Sequence, residues 1–552
     1  MTYYDIDVYS RTVSTNCAEA QLWFDRGLVW TYGYHHEEAI ACFRRALEHD
    51  PDCAMAWWGI AYATGPNYNM EWHHFDPAGK AQALAAAFDA TREALARADR
   101  VTPPERALIE ALPARYPQRE PEEDQTPWND AFADAMRAAW RDHPDDLEVA
   151  TIFAEAILNR TPWKMWDLRT GGVAEGAGTE EAQTVLERAM REDPAAMRHP
   201  GILHLYVHLM EMSPFPEKAL KAGDVLRTLV PDAGHLIHMP THIDVLCGHY
   251  HDVLVDNQRA IAADRKYLEE MGPMNFYTAY RIHNYHFAIY GAMFLGQYAP
   301  ALAAAEELIA TTPEDLLRVE TPPMADVIES YFPMKAHVMI RFGKWREILA
   351  EPLPQDRELY CVTHASWLYA RGVAHAALGE VADAEREKAR FLEAKARVPE
   401  SRLLHNNTCR DLLAIAEAML EGEIAYRKGE YEAAFAHLRR SVALDDALPY
   451  DEPWGWIQPT RHALGALLLE QGRIEEAEAV YREDLGLGGT LSRATVHPDN
   501  VWSLRGLQDC LARQGKEATP EGRLIRQRLD LATARADGPV AASCFCARAA
   551  AA

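Results

Sequence analysis

The feature that most constrains this chain is a helix-period apolar pattern cut into short lengths. Runs such as "EEAIACFRRALEHDP" (37–51) and "RIEEAEAVYREDL" (473–485) place apolar residues three and four positions apart, the spacing that gives a helix one buried face. Gly and Pro interrupt such runs at intervals of roughly 15 to 20 residues. Strand signals are nearly absent. Helices this short are marginal alone and must bury their apolar face on a neighbour, so the pattern predicts an all-α chain of antiparallel helix pairs. Its 552 residues exceed one compact core, and 48% hydrophobic content supports an extensive interior.

The stretch from Ala20, "AQLWFDRGLVWTYGYHHEEAIACFRRALEHDP", narrows the class. Trp23, Gly27, Trp30, Ala39, Phe43, Ala46 and Pro51 stand where the tetratricopeptide repeat has its signature residues, and the chain resembles that family. Looser copies are marked by Gly248 and Tyr250, by Gly296, Tyr298 and Ala301, and by Gly429, Tyr431 and Ala434. The resemblance implies a tetratricopeptide-like α-solenoid, strongly curved, with loop insertions at 64–80, 113–130, 160–180 and 265–278. Residues 1–536 are read as one solenoid, with histidine-rich central repeats over 200–296 and C-terminal repeats over 365–515. Residues 537–552, with "SCFCARAAAA", are read as a flexible tail in which Cys544 and Cys546 offer a soft-metal pair.

The segment "GHLIHMPTHIDVLCGHY" (234–250) carries His235, His238 and His242 at i, i+3 and i+7, positions that share one face of a helix. His204 and His238 are 34 residues apart, as are His208 and His242, so they occupy equivalent places in consecutive repeats. His283 and His286 repeat the places of His235 and His238 after an insertion. In the family, the second, fifth, ninth and twelfth places of each first helix commonly contact ligands. That register adds Glu211 at a twelfth place and Glu155 at a ninth. Such density is far above what 23 histidines in 552 residues give by chance.

Imidazoles and carboxylates are ligands of divalent transition metals, so the set predicts one or two ions, copper or iron ahead of zinc or manganese. His204, His208, His235, His238, His242, His283 and His286 are the candidate ligands, with Glu155 and Glu211 as catalytic carboxylates. The leading reading is a metal-dependent enzyme acting on a small molecule in the groove, oxidative chemistry slightly ahead of hydrolysis. The alternatives are a non-catalytic scaffold for a protein or peptide, or a metal-storage or sensing protein. Asn67, Tyr68, Asn69, His73 and His74 are read first as an ordered polar loop and second as a pocket mouth; His249, His251, His337 and His364 are read as partly buried polar residues with a satisfied hydrogen bond.

A net charge of −27 speaks against nucleic acid or an anionic membrane as partner. No apolar run is long enough to span a bilayer and no signal peptide is visible, so a cytoplasmic location with mostly reduced thiols is expected. The sequence sets no oligomeric state.

Overall fold

The computed structural model describes residues 3–548. Its helices fall into two compact units, Met1–Ile243 with Arg259–Tyr267, and Asp244–Gln258 with Leu268–Ala552.

In the first unit α1 (Ala18–Tyr32) packs on α2 (His36–His49) and α3 (Ala54–Thr64) on α4 (Pro77–Leu95). Next come α5 (Pro103–Arg115) with α6 (Thr126–Asp142), α7 (Leu147–Leu158) with α8 (Thr179–Glu192), and α9 (Pro200–Glu211) with α10 (Leu220–Leu229). α11 (Gly234–His238), the start of α12 (Thr241–Cys247) and part of α13 (Tyr250–Met271) complete it.

The second unit opens with the rest of α12 and α13 and with α14 (Thr278–Phe294) on α15 (Tyr298–Ala310). The short helices α16 (Glu314–Leu317), α17 (Met324–Ile328), α18 (Met334–Arg341) and α19 (Trp345–Ala350) follow. Four pairs end the chain: α20 (Cys361–Ala377) with α21 (Val381–Lys395), α22 (Cys409–Arg427) with α23 (Tyr431–Asp446), α24 (Thr460–Glu470) with α25 (Ile474–Asp484), and α26 (Val501–Arg513) with α27 (Pro520–Thr533). Alternate helices also touch, as α1 does α3 and α20 does α22, which is the contact pattern of stacked helix pairs. The one hairpin among the described residues joins β1 (Leu403–Leu404) to β2 (Asn407–Thr408). None of the described helices is long and apolar enough to cross a membrane.

Small residues set the pair geometry. The Phe43 ring is clamped between Gly27 of α1 and Gly59 of α3, and a Cβ at either glycine would lie 2.6 Å from it. Tyr481 of α25 is held the same way between Gly465 of α24 and Gly506 of α26.

Three expectations change. The 265–278 insertion is mostly helix: α13 runs to Met271 and α14 begins at Thr278, because "RKYLEEM" consists mainly of good helix formers and buries Tyr267. The helix expected from Gly234 breaks between His238 and Thr241. Pro240 has no N–H to donate, and the chain tightens to short-range bonds from His242 N to Met239 O (3.1 Å) and Ile243 N to Pro240 O (3.0 Å). The tail is not loose over its described part. Val540 packs with Val501 and Trp502, Phe545 lies against the same cluster, and Tyr481 and Ser543 share a hydrogen bond of 2.5 Å. Cys544 and Cys546 are joined to each other as a disulfide, and the other seven cysteines are thiols. The final residues 549–552 lie outside the described part.

Candidate metal centre

His204 and His208 share the helix α9, whereas His235 and His238 lie on α11 and His242 on α12, beyond the break at Pro240. α9 begins at Pro200, behind His199, whose Nδ1 accepts from Ile202 N at 3.2 Å. Gly201 lets α9 approach α1 and α7: a Cβ there would meet Tyr32 and Thr151 at 2.6 and 2.7 Å. That approach brings His204 Nδ1 to the Tyr32 carbonyl, 2.7 Å away. The Nδ1–H donates to this carbonyl, which leaves Nε2 as the lone-pair nitrogen.

His208, one turn further, donates Nδ1–H to Glu211 Oε1 at 3.0 Å, which likewise leaves its Nε2 with the lone pair. His204 Nε2 and His208 Nε2 are buried and have no hydrogen-bond partner. His235 of α11 completes a trio, and one nitrogen from each ring lies within 4.8 Å of the others. The rings are close: 4.7 Å between His204 and His208 and 4.9 Å between His204 and His235, centroid to centroid. Burial holds the His208 pKa down at about 3. Burial, with neighbouring imidazoles adding to it, keeps His204 and His235 well below the ordinary value. All three are neutral imidazoles at pH 7, the form that binds a metal.

Glu211 lies behind the rings. Its second oxygen accepts from His242 Nδ1 at 2.8 Å, so one carboxylate fixes two imidazoles. His242 Nε2 then accepts from His238 Nε2 at 2.7 Å. Glu155 of α7 sits apart from this relay and accepts from the Tyr62 hydroxyl at 2.5 Å. Burial raises its pKa, and the Tyr62 hydroxyl, the Arg115 charge and the Tyr34 hydroxyl offset only part of that.

Two tyrosines of the site come from positions that helix periodicity does not mark. Tyr34 lies in the α1–α2 turn, its ring 4.7, 5.9 and 5.6 Å from those of His204, His208 and His235. Its φ of 53° is the left-handed conformation that glycine adopts in the matching turns at Gly296, Gly379, Gly429 and Gly472. A bulky side chain kept in that strained conformation marks a place where the ring itself matters. Tyr68, from the 64–80 loop, packs on His208 at 4.4 Å and approaches Glu211 Oε1 at 3.5 Å. The Trp163 N–H, from the 160–180 loop, donates to Tyr68 at 3.0 Å.

His283 and His286 belong to the second unit. There His283 stacks on His405 at 4.4 Å, His405 Nδ1 bonds Asp451 Oδ1 at 3.2 Å, and His286 meets the Tyr331 ring at 5.3 Å. Burial opposes a charge on His405, but Asp451 outweighs it and raises the pKa. His405 and Asp451 escaped the sequence reading because neither lies on a first helix. Trp454 and Trp456 fill the core: Trp454 Nε1 donates to Asp445 at 3.0 Å and Trp456 packs on His337.

Residues 20–53 match the family model of the tetratricopeptide repeat. No curated protein matches the sequence. Among solved structures the chain is similar to that of Naa15/Naa10 bound to HypK-THB. The identity is 15%, over 93% of this chain and 70% of that one, with a TM-score of 0.22.

Proposed function

We propose that this tetratricopeptide-repeat protein holds a divalent transition metal on His204, His208 and His235, and uses it on a small molecule. The observation that carries the reading is the pair of buried, unpartnered Nε2 atoms of His204 and His208, each with its Nδ1–H pinned elsewhere. An unsatisfied buried acceptor costs about 1–3 kcal/mol, and a bound ion removes that cost for both. The donors fit the group: neutral imidazoles facing one point, one of them oriented by a carboxylate from behind. Imidazoles suit copper, iron and zinc alike, and copper or iron with oxidative chemistry stays slightly ahead of zinc or manganese hydrolysis in this reading. Glu211 is then a positioning residue, its two oxygens engaged by His208 and His242. Glu155, with its raised pKa, is the candidate proton carrier. A cytoplasmic site of action is part of the same reading.

Elemental analysis of untagged protein tests it: about one metal equivalent per chain is expected, falling below about a tenth in His204→Ala and His208→Ala. The catalytic half is tested by metal-dependent oxygen consumption or product formation in a metabolite mixture. Bound metal without turnover ends that half and leaves storage or sensing.

The match at 20–53 favours a second reading, a non-catalytic scaffold for a protein or peptide. A partner that stays bound after chelation, in protein carrying no metal when isolated, would favour it over the first.

A further inference from the structure

The second unit contains a small, half-open pocket of about 70 Å³ between α20, α21 and the loop before α20. Cys361, His364 and Leu368 enter it at i, i+3 and i+7 of α20. Arg390, Glu393 and Arg397 enter at the same spacing along α21 and its C-terminal turn, and Arg357 comes from the loop. Three guanidinium groups thus face one carboxylate in a chain whose net charge is −27. Arg390 is shared with Glu387 at 2.7 Å, whereas no ion pair holds Arg357 or Arg397 among the described residues. His364 is 7% exposed, and its Nδ1 has no hydrogen-bond partner. Burial and then the cations of Arg357, Arg390, Arg397 and Arg371 lower its pKa, so at pH 7 it offers a neutral ring beside the guanidiniums.

Guanidinium forks recognise tetrahedral oxyanions through paired N–H donors. Leu368, Ala394 and Cys361 give the pocket an apolar wall, and its volume leaves room for a small anionic group. We infer that this pocket binds the phosphate group of a small molecule, with Arg357 and Arg397 gripping it and Arg390 supporting them. Arg357 and Arg397 are exposed, so replacing them leaves the helix core intact.

The test is calorimetric titration of the full chain at low salt with inorganic phosphate, glycerol 3-phosphate and succinate. Saturable binding of either phosphate, weakened about tenfold or more in Arg357→Ala and in Arg397→Ala at unchanged circular dichroism, is the expected result. Succinate should bind more weakly. Absence of saturable phosphate binding, equal affinity in the Arg357→Ala/Arg397→Ala double variant, or tighter binding of succinate would each overturn the assignment. The arginine dependence separates this pocket from any phosphate taken up at the histidines of the first unit.

Discussion

Two groups of buried histidines, one in each unit, meet opposite fates. In the second unit Asp484 accepts from His462 Nε2 (3.0 Å), His497 Nδ1 (2.8 Å), Asn500 Nδ2 (2.9 Å) and Ser503 Oγ (2.6 Å). Arg341 donates to His462 Nδ1 at 2.8 Å, so both nitrogens of that ring are used. Burial would raise the Asp484 pKa, but His462 and His497 outweigh it and hold the carboxyl well below its usual range. This is a closed network that ties the 497–503 turn to α25. In the first unit, His204 and His208 each satisfy one nitrogen and leave the other without a partner. Burial and residue type are the same in both groups. The two groups differ in whether the second nitrogen of each ring has a partner inside the protein.

That contrast can be broken most forcefully at Asp484. Asp484→Ala leaves four donors without their acceptor and should destabilise the fold by about 4 kcal/mol in chemical denaturation, with the metal content of the folded fraction unchanged. A large loss of metal in that variant would mean that the two groups are not independent.

A slightly smaller effect concerns pH. Burial lowers the His462 pKa to about 4, against 6.5 for an unperturbed histidine. Between those values the unfolded chain takes up a proton that the native one refuses. This part of the stability is therefore complete above pH 6.5 and falls by about 3 kcal/mol as the pH drops to 4. The advantage of wild type over His462→Gln should shrink by that amount over the window, read from denaturation at each pH. A constant difference would show that His462 is not held neutral.

The repeat framework is sharpened by Gly27→Ala, which pushes a methyl group into the Phe43 ring. A loss of about 2 kcal/mol in thermal unfolding is expected. Smallest is Gly429→Ala, where φ is 80° and no atom lies within 4 Å of the added carbon. Its cost of about 1 kcal/mol is backbone strain alone, and it measures what Tyr34 sustains at the equivalent turn.

The sequence carried the local parts of this picture. The Gly27–Phe43 pair announced the first repeat, and the 34-residue interval from His204 to His238 announced a shared face, because both follow from helix period and repeat length. Glu211 was visible as a member of the set but not as a support behind two rings, since that depends on side-chain direction across helices. Tyr34 and Tyr68 come from a turn and a loop, where period gives no guidance. The break at Pro240 was foreseeable from the proline itself, yet the histidine spacing across it reads as continuous helix. The unsatisfied nitrogen of His364 depends on the absence of neighbours, which no local pattern records.

X-ray absorption at the metal edge of untagged protein tests the central claim most directly. The account predicts a first shell containing imidazole nitrogens at about 2.0–2.1 Å, with the multiple-scattering signature of about three histidines, lost in His204→Ala/His208→Ala/His235→Ala. An oxygen-only shell, or an unchanged spectrum and metal content in that triple variant, would contradict it.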